Sequence, residues 1–164
     1  MKAERQYLAH YIDAAFDTTY KATEYVRLGK DLEDFSIDLS PDVETSKNIL
    51  GENSVKHKGY EATSSADPVY YEYDDTLTEK MMKIAMLRQK GDACKTSYVE
   101  VLLKPAADGG APTVVRATRQ DCYVIPTSYG GDTSGVQVPF EIRFTGALVE
   151  GAFAIDTKTF TPNT

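Results

Sequence analysis

Two histidines and two cysteines are the residues best able to supply a base, a nucleophile or a metal ligand in this chain. A thiol next to an imidazole is a nucleophilic pair, and Cys122 with His57 is the combination that would form one. Nothing in the sequence places these two residues together. Neither His10 nor His57 is followed within four residues by another histidine or a cysteine, as a zinc site would favour. The sequence therefore predicts no catalytic residue, no cofactor site and no metal site.

The remaining motifs that could do chemistry have simpler structural explanations. The Asp74-Asp75 pair precedes a predicted helix, where negative charge is favourable at the positive end of the helix dipole. The glycine pairs 109–110 and 130–131 lack both the strand–loop–helix context and the lysine of a phosphate-binding loop. We read each glycine pair as a turn, and we expect a protein that is not an enzyme.

The length and composition are those of one globular domain spanning residues 1–164. Hydrophobic residues make up 41% of the chain and charged residues 26%. No apolar run approaches the ~20 residues that a membrane-spanning helix needs. Charged residues interrupt residues 1–16, where a signal peptide would be apolar, so we expect synthesis and folding in a cytoplasm. In such a compartment Cys94 and Cys122 are expected to be reduced, partly buried thiols.

The net charge of −7 is unevenly distributed. Residues 61–80 contain six acidic residues and only one basic residue, whereas residues 41–60 are balanced. Proteins that bind nucleic acids specifically carry a basic stripe, because neutralising phosphates dominates their affinity. This sequence has no such stripe. We therefore expect no measurable binding to free duplex DNA, even at low salt.

Alternating apolar and polar residues predict a mainly β fold. The alternation is clearest over residues 136–144, where Pro139 indicates an edge position or a bulge, and it resumes at Phe153 after a predicted turn at 146–151. The turn-forming segments 105–112 and 128–135 separate the later strands. The other segments predicted to be strands are residues 7–12, 25–28, 35–39, 97–103 and 114–125.

One segment predicts a helix, at about residues 76–90. Residues 76–79 (TLTE) form a capping box that satisfies the free amides of a helix start. Arg88, Lys90 and Gly91 suit its end. The apolar residues that fall on one helical face, and that we expect to pack in the core, are Leu77, Met81, Ile84 and Ala85.

The segment at about 41–60 is too long and too polar for an ordinary connection in a compact domain. It is either a surface loop or a protruding hairpin that turns at residues 51–53. We predict that it contacts other subunits and adds little to the core. The residues assigned to that contact are Lys47, Asn48, Ile49, Leu50, Val55, Lys56, His57 and Lys58.

The order of these elements resembles the major tail tube protein of tailed bacteriophages. The order is several strands, a mid-chain hairpin or loop, an acidic segment with an Asp-Pro step, one helix and a run of strands. The stretches that carry the resemblance are residues 66–75 (ADPVYYEYDD), 129–135 (YGGDTSG), 139–142 (PFEI), 151–153 (GAF) and 158–162 (KTFTP). The needle protein of type VI secretion systems has the same architecture.

The resemblance implies a β-sandwich or barrel-like domain with a flanking helix, which forms stacked hexameric rings around a tape-measure protein. It implies no cofactor, partners limited to itself and other tail proteins, and a place in the tail of a virion. DNA would pass through the tube without specific binding, helped by the acidic balance of the chain. The alternative is a small β-sandwich module of a virion or cell surface that binds carbohydrate or protein, which 11 tyrosines would suit.

Overall fold

Runs of β-branched and aromatic residues form most of the structure. The computed structural model describes residues 1–163. The strands within that range are β1 Leu8–Asp13, β2 Tyr25–Arg27, β3 Pro41–Lys47, β4 Asn53–Tyr60, β5 Thr63–Ala66, β6 Lys95–Lys104, β7 Thr113–Pro126, β8 Gly130–Asp132, β9 Gly135–Gln137, β10 Phe140–Ala154 and β11 Thr159–Pro162. One α-helix, α1 Thr76–Leu87, and two 3₁₀ turns, Arg5–Tyr7 and Gly91–Cys94, complete the elements described.

Seven strands form one curled antiparallel sheet in the order β11-β10-β7-β6-β1-β2, with β5 paired to the first half of β10. The sheet has the shape of a half-barrel. Two separate hairpins, β3–β4 and β8–β9, lie outside it. The predicted fold class is therefore confirmed: the chain is mainly β, barrel-like, and has one helix and a hairpin over residues 41–60.

Both faces of the sheet carry buried side chains, which the alternation of side chains along each strand makes possible. On one face, Ile12, Tyr98 and Val124 belong to a core cluster that the helix covers. On the other face, Tyr11 and Val99 pack in a second cluster, which also contains the aromatic rings of β10 and β11. Residue pairs such as Tyr11 with Val99 and Ile12 with Tyr98 are direct cross-strand partners, so the register fixes both clusters.

The helix lies where it was predicted, but its ends differ in detail. The N-cap is Asp75, whose carboxylate accepts a hydrogen bond from the Leu77 amide at 3.0 Å, and the capping box starting at Thr76 is wrong by one position. An aspartate is as good an N-cap as a threonine, and here it precedes the threonine in the chain. The helix ends at Leu87, because Arg88 adopts a left-handed conformation (φ 51°) that Gly91 was expected to supply.

Three strand predictions were wrong at their boundaries. Residues 136–144 are divided between β9 and β10, with Pro139 in the gap, where its carbonyl accepts a hydrogen bond from the Thr127 amide at 3.0 Å. The predicted turn at 146–151 lies inside β10, as a register shift between Thr145 and Val149. Residues 35–39 supply only an isolated bridge from Asp38 to Thr63.

Candidate assembly surfaces

The β3–β4 hairpin is exposed along almost its whole length. Every residue of β3 is exposed, and only Gly59 in β4 is partly covered. The hairpin is anchored at its root, where the Glu61 amide donates to the Leu39 carbonyl at 3.1 Å. An isolated two-stranded hairpin is only marginally stable in water. We therefore expect another molecule to cover these exposed strands.

Pairing within the hairpin sorts its side chains onto two faces. Val43 lies opposite His57, and Thr45 lies opposite Val55, so these four side chains share one face, the apolar face, which carries both valines of the hairpin. The His57 ring also meets the Tyr60 ring edge to face, with centroids 4.7 Å apart. A strand pair with one apolar face normally lays that face on a core, yet Val43 and Val55 are 51% and 68% exposed.

The opposite face of the hairpin is polar and charged. Glu44 lies opposite Lys56, and the Ser46 and Ser54 hydroxyls are hydrogen-bonded to each other at 2.6 Å. Lys58 is the extra residue of a register shift, and its ammonium lies 3.0 Å from the Glu44 carboxylate. Because these charges remain exposed, this face suits water better than a dry contact.

A tight turn closes the hairpin at residues 48–52. The Asn48 side-chain oxygen accepts hydrogen bonds from the Leu50 and Glu52 amides at 2.9 and 3.0 Å, which holds the turn in one shape. Gly51 has φ +81°, a conformation that glycine adopts without strain. The turn presents Ile49 and Leu50 to solvent, 103% and 76% exposed respectively.

All eight residues predicted for the subunit contact thus lie on this hairpin, but they do not form one surface. Asn48, Ile49 and Leu50 form the tip. Lys47, Val55 and His57 share the apolar face, whereas Lys56 and Lys58 lie toward the charged face. The role of these residues in assembly stays a prediction. Val43 and Tyr60 were not among the predicted contact residues, although both are exposed on this hairpin.

The predicted core face of the helix is brought together as expected. Leu77, Met81 and Ile84 are buried, at 3%, 0% and 1% exposure, and Ala85 is partly buried against the same cluster. Thr78 is also buried, and its hydroxyl bridges the Glu72 and Asp75 carbonyls at 3.3 Å each. The spacing of apolar residues did not predict that Thr78 is buried, because Thr78 is polar.

A groove of about 520 Å³ lies beside β1 and β2, at the edge of the large sheet. Its apolar lining consists of Leu8, Leu28, Leu32 and Phe35, and its charged lining includes Arg5, Arg27, Glu33 and Asp34. These residues come from two separate parts of the sequence, 5–10 and 27–35. No local motif could have predicted the groove.

Arg5 and His10 form a polar network at the floor of this groove. Arg5 donates to the Leu8 and Phe35 carbonyls and to His10 Nε2, each at 2.8 Å. Since a guanidinium only donates, Nε2 accepts and the ring proton lies on Nδ1, which is hydrogen-bonded to the Tyr98 hydroxyl. Burial, followed by the positive charges of Arg5 and Arg27, lowers the pKa of His10 to about 4 from an ordinary 6.5. His10 is therefore neutral at pH 7.

This neutral histidine predicts a loss of stability in mild acid. The unfolded chain takes up a proton at His10 near pH 6.5, but the folded chain does so only near pH 4. The stability that neutral His10 contributes to the fold is therefore present above pH 6.5 and is lost toward pH 4. The loss is roughly 3 kcal/mol, taking about 1.4 kcal/mol per pKa unit. Urea unfolding from pH 7 to pH 4 should show a shallower pH dependence for His10→Gln than for the parent. Glu100 lies beside His10 and is present in both proteins, so it cannot account for a difference between their curves. Parallel curves for His10→Gln and the parent would contradict the prediction.

The other residues considered for chemistry are not clustered. Within residues 1–163, no group of three or more His, Cys, Asp or Glu side chains could hold a metal ion. Cys94 and Cys122 are free and buried, and burial raises the pKa of both thiols. His10 lies in the sheet and His57 on the exposed hairpin. In the part of the chain described, no helix is long and apolar enough to cross a membrane.

Comparison with known proteins finds a solved structure of similar architecture. No family model matches the chain, and no curated protein matches it. Among solved structures, it is similar to a chain in the sheath/tube terminator of an extracellular contractile injection system, PVC, in the extended state. The TM-score is 0.51 at 12% sequence identity, over 93% of this chain and 98% of that chain. The comparison establishes the fold.

The match runs over nearly the whole of both chains. This chain has the fold of a component of a tail-like injection system, and the resemblance noted in the sequence pointed to the same kind of particle. The comparison does not single out the major tail tube protein of bacteriophages.

Proposed function

We propose that this chain is a non-catalytic structural subunit that assembles with copies of itself into hexameric rings of a phage tail or a tail-like injection particle. Stacked rings would form a hollow conduit around a tape-measure protein, in contact with other tail proteins. The observation that carries the proposal is the fold, shared over almost the full length with a chain of a sheath/tube terminator.

The exposed hairpin supports an assembling rather than a solitary protein. Its apolar face and its tip leave Val43, Ile49, Leu50 and Val55 in water, at 51–103% exposure. Exposed apolar surface of this kind, bordered by charged residues, is typical of a protein interface. A contact made by a protruding arm on a different surface of the neighbour is heterologous, and heterologous contacts that close on themselves generate rings.

The charge of the chain supports a conduit through which DNA passes without binding. A surface that grips DNA needs unpaired lysines and arginines, whereas the net charge here is −7. Several acids of residues 61–80 have local roles: Asp75 caps the helix, Glu72 is paired with Lys30, and Glu79 accepts from the Tyr71 hydroxyl. The proposal therefore rests on the net charge of the whole chain and not on those particular carboxylates.

A ring that ends the tube, instead of one repeated along it, is the second candidate function. It is favoured by the description of the structural relative as a sheath/tube terminator. The two candidates share fold and ring, and they differ in whether rings stack. Single rings that never lengthen would indicate a terminator, and tubes of variable length would indicate a tube subunit.

We expect the purified protein to form closed rings at high concentration. Sedimentation velocity over a concentration series gives the mass of the assembly, and negative-stain electron microscopy shows its symmetry. Six-fold rings or tubes would support the proposal, because a heterologous contact that closes gives particles of fixed size. A protein that stays monomeric at the highest concentration reached, with both termini native, would contradict it.

A further inference from the structure

The hairpin tip and the groove beside β1 and β2 are two features that the fold itself does not explain. The tip exposes two adjacent aliphatic side chains, Ile49 and Leu50, almost completely. The groove is a cleft of about 520 Å³ whose lining combines the apolar residues Leu28, Leu32 and Phe35 with charged residues. Burying aliphatic side chains against other apolar side chains is favourable, because it removes apolar surface from water. The aliphatic tip and the apolar lining residues of the groove are therefore chemically complementary.

The charges beside the tip match the charges beside the groove. Lys47 precedes the turn and Glu52 closes it, so the tip carries one charge of each sign next to its aliphatic pair. The groove likewise has Arg27 among its lining residues, together with Glu33 and Asp34. Placing unlike charges opposite each other fixes the orientation of a contact and disfavours the reverse one.

The groove has an arginine free to make such a contact. Arg5 already donates three hydrogen bonds within the chain, to Leu8, His10 and Phe35. Arg27 donates one, to the Gln6 carbonyl at 2.7 Å, and its guanidinium has five donors. On the tip side, the Glu52 carboxylate has a single, long contact, 3.3 Å from the Asn48 amide. Within residues 1–163, neither Arg27 nor Glu52 is in an ion pair.

The hairpin tip does not lie in the groove of its own chain. Seven paired residues separate the root from the turn, and at about 3.3 Å per residue the tip lies about 23 Å from the root. In the structure, Ile49 is fully exposed and therefore contacts none of the groove residues of its own chain. An occupant of the groove with this chemistry must come from another molecule.

We propose that the hairpin tip of one copy docks in the groove of a second copy. Ile49 and Leu50 would contact Leu28, Leu32 and Phe35, and Glu52 would pair with Arg27. The contact is heterologous, because tip and groove are different surfaces of the same chain, so it can propagate from copy to copy. This inference rests on the proposed function and names the surface that receives the arm.

Crosslinking between two differently marked copies tests the contact directly. One protein carries Leu50→Cys and the other Leu32→Cys, and the two are mixed under conditions in which they associate, with a short bifunctional maleimide. The native thiols Cys94 and Cys122 are buried and should stay unreacted. The control replaces the groove variant by Leu148→Cys, an aliphatic residue on β10, three strands from β1. Leu148 is 59% exposed and Leu32 is partly buried, so the control thiol is the more accessible of the two.

We expect the tip–groove pair to crosslink at least about tenfold more efficiently than the tip–control pair, because docking raises the effective concentration of the two thiols. Equal yields from both pairs would overturn the inference. If the copies associate but do not crosslink at the groove, the tip contact is wrong and the ring proposal stands. If the parent does not associate at all, the ring proposal has failed in its own test, and the inference fails with it.

Charge reversal provides a second measurement that does not depend on a crosslinker. Arg27→Glu and Glu52→Arg should each weaken self-association about tenfold or more, and the double variant should recover most of that loss, since it inverts the pair. Thermal unfolding of the monomer confirms that each variant is folded. Losses that simply add in the double variant would overturn the pairing of Glu52 with Arg27.

Discussion

Aspartate in place of Met81 is expected to lower the free energy of unfolding by about 3–5 kcal/mol, the range found when a charge is left unpaired in a core. Met81 is 0% exposed and packs on the face of the sheet that holds Ile12 and Val124. An aspartate there must either lose its hydration or take up a proton, and both are costly in an apolar site. A domain of this size has about 5–15 kcal/mol of stability in total, so the loss is a large fraction of it.

Met86 supplies the matched control, since it is the same residue type on the same helix but is 56% exposed. Met86→Asp should cost no more than about 1 kcal/mol, mostly from a negative charge near the end of the helix. Ile84→Asp should resemble Met81→Asp, because Ile84 is 1% exposed. Urea unfolding followed by circular dichroism gives all three values. Similar midpoints for Met81→Asp and Met86→Asp would show that the helix is not packed on the sheet as described.

The helix illustrates what the sequence could predict. Its apolar spacing depends only on the geometry of an α-helix, and Leu77, Met81 and Ile84 indeed face the core. Its ends depend on competition between neighbouring side chains. Asp75 and Thr76 are both good N-caps. Only the path of the preceding chain decides that the Asp75 carboxylate is the one that accepts a hydrogen bond from the Leu77 amide. Helix existence was therefore predictable, and the identity of the cap was not.

The last strands show the opposite case, in which a sound local rule gave a wrong boundary. Gly146 and Gly151 with the residues between them are typical of a turn, yet β10 runs through them as one long bent strand. The sheet accommodates the extra residues as a bulge, and Gln120 donates to the Gly146 carbonyl at 3.0 Å. Pairing with β7 on one side and β11 on the other outweighed the local preference.

The two candidate surfaces were predictable to different degrees. The hairpin was expected from its length and low hydrophobicity, because a segment that cannot bury itself must project or stay a loop. The groove could not be expected, because Leu8, Arg27 and Phe35 meet only through the pairing of β1 with β2 and the path of the chain after it. Periodicity reveals which side chains share an element, but not which distant elements enclose a cleft.

Replacing residues 44–58 by a four-residue Gly/Ser linker is expected to leave the monomer folded and to abolish ring and tube growth. The hairpin forms a separate two-stranded sheet with every residue of β3 exposed, so its removal takes little from either core cluster. Val43 and Gly59 remain close across the root, because Asp42 pairs with Gly59, and a short linker can join them. Thermal unfolding measures the fold, and sedimentation with negative-stain microscopy measures assembly.

A gentler pair of variants separates the apolar face of the hairpin from the hairpin as a whole. Val43→Thr with Val55→Thr keeps β-branched residues in both strands but makes the exposed apolar face polar, and we expect it to weaken assembly about tenfold or more. Ser46→Thr with Ser54→Thr changes the opposite face equally conservatively, and it should assemble like the parent. If the linker variant unfolds, the hairpin belongs to the core of the subunit. If the two double variants assemble equally well, the apolar face is not where neighbouring subunits meet.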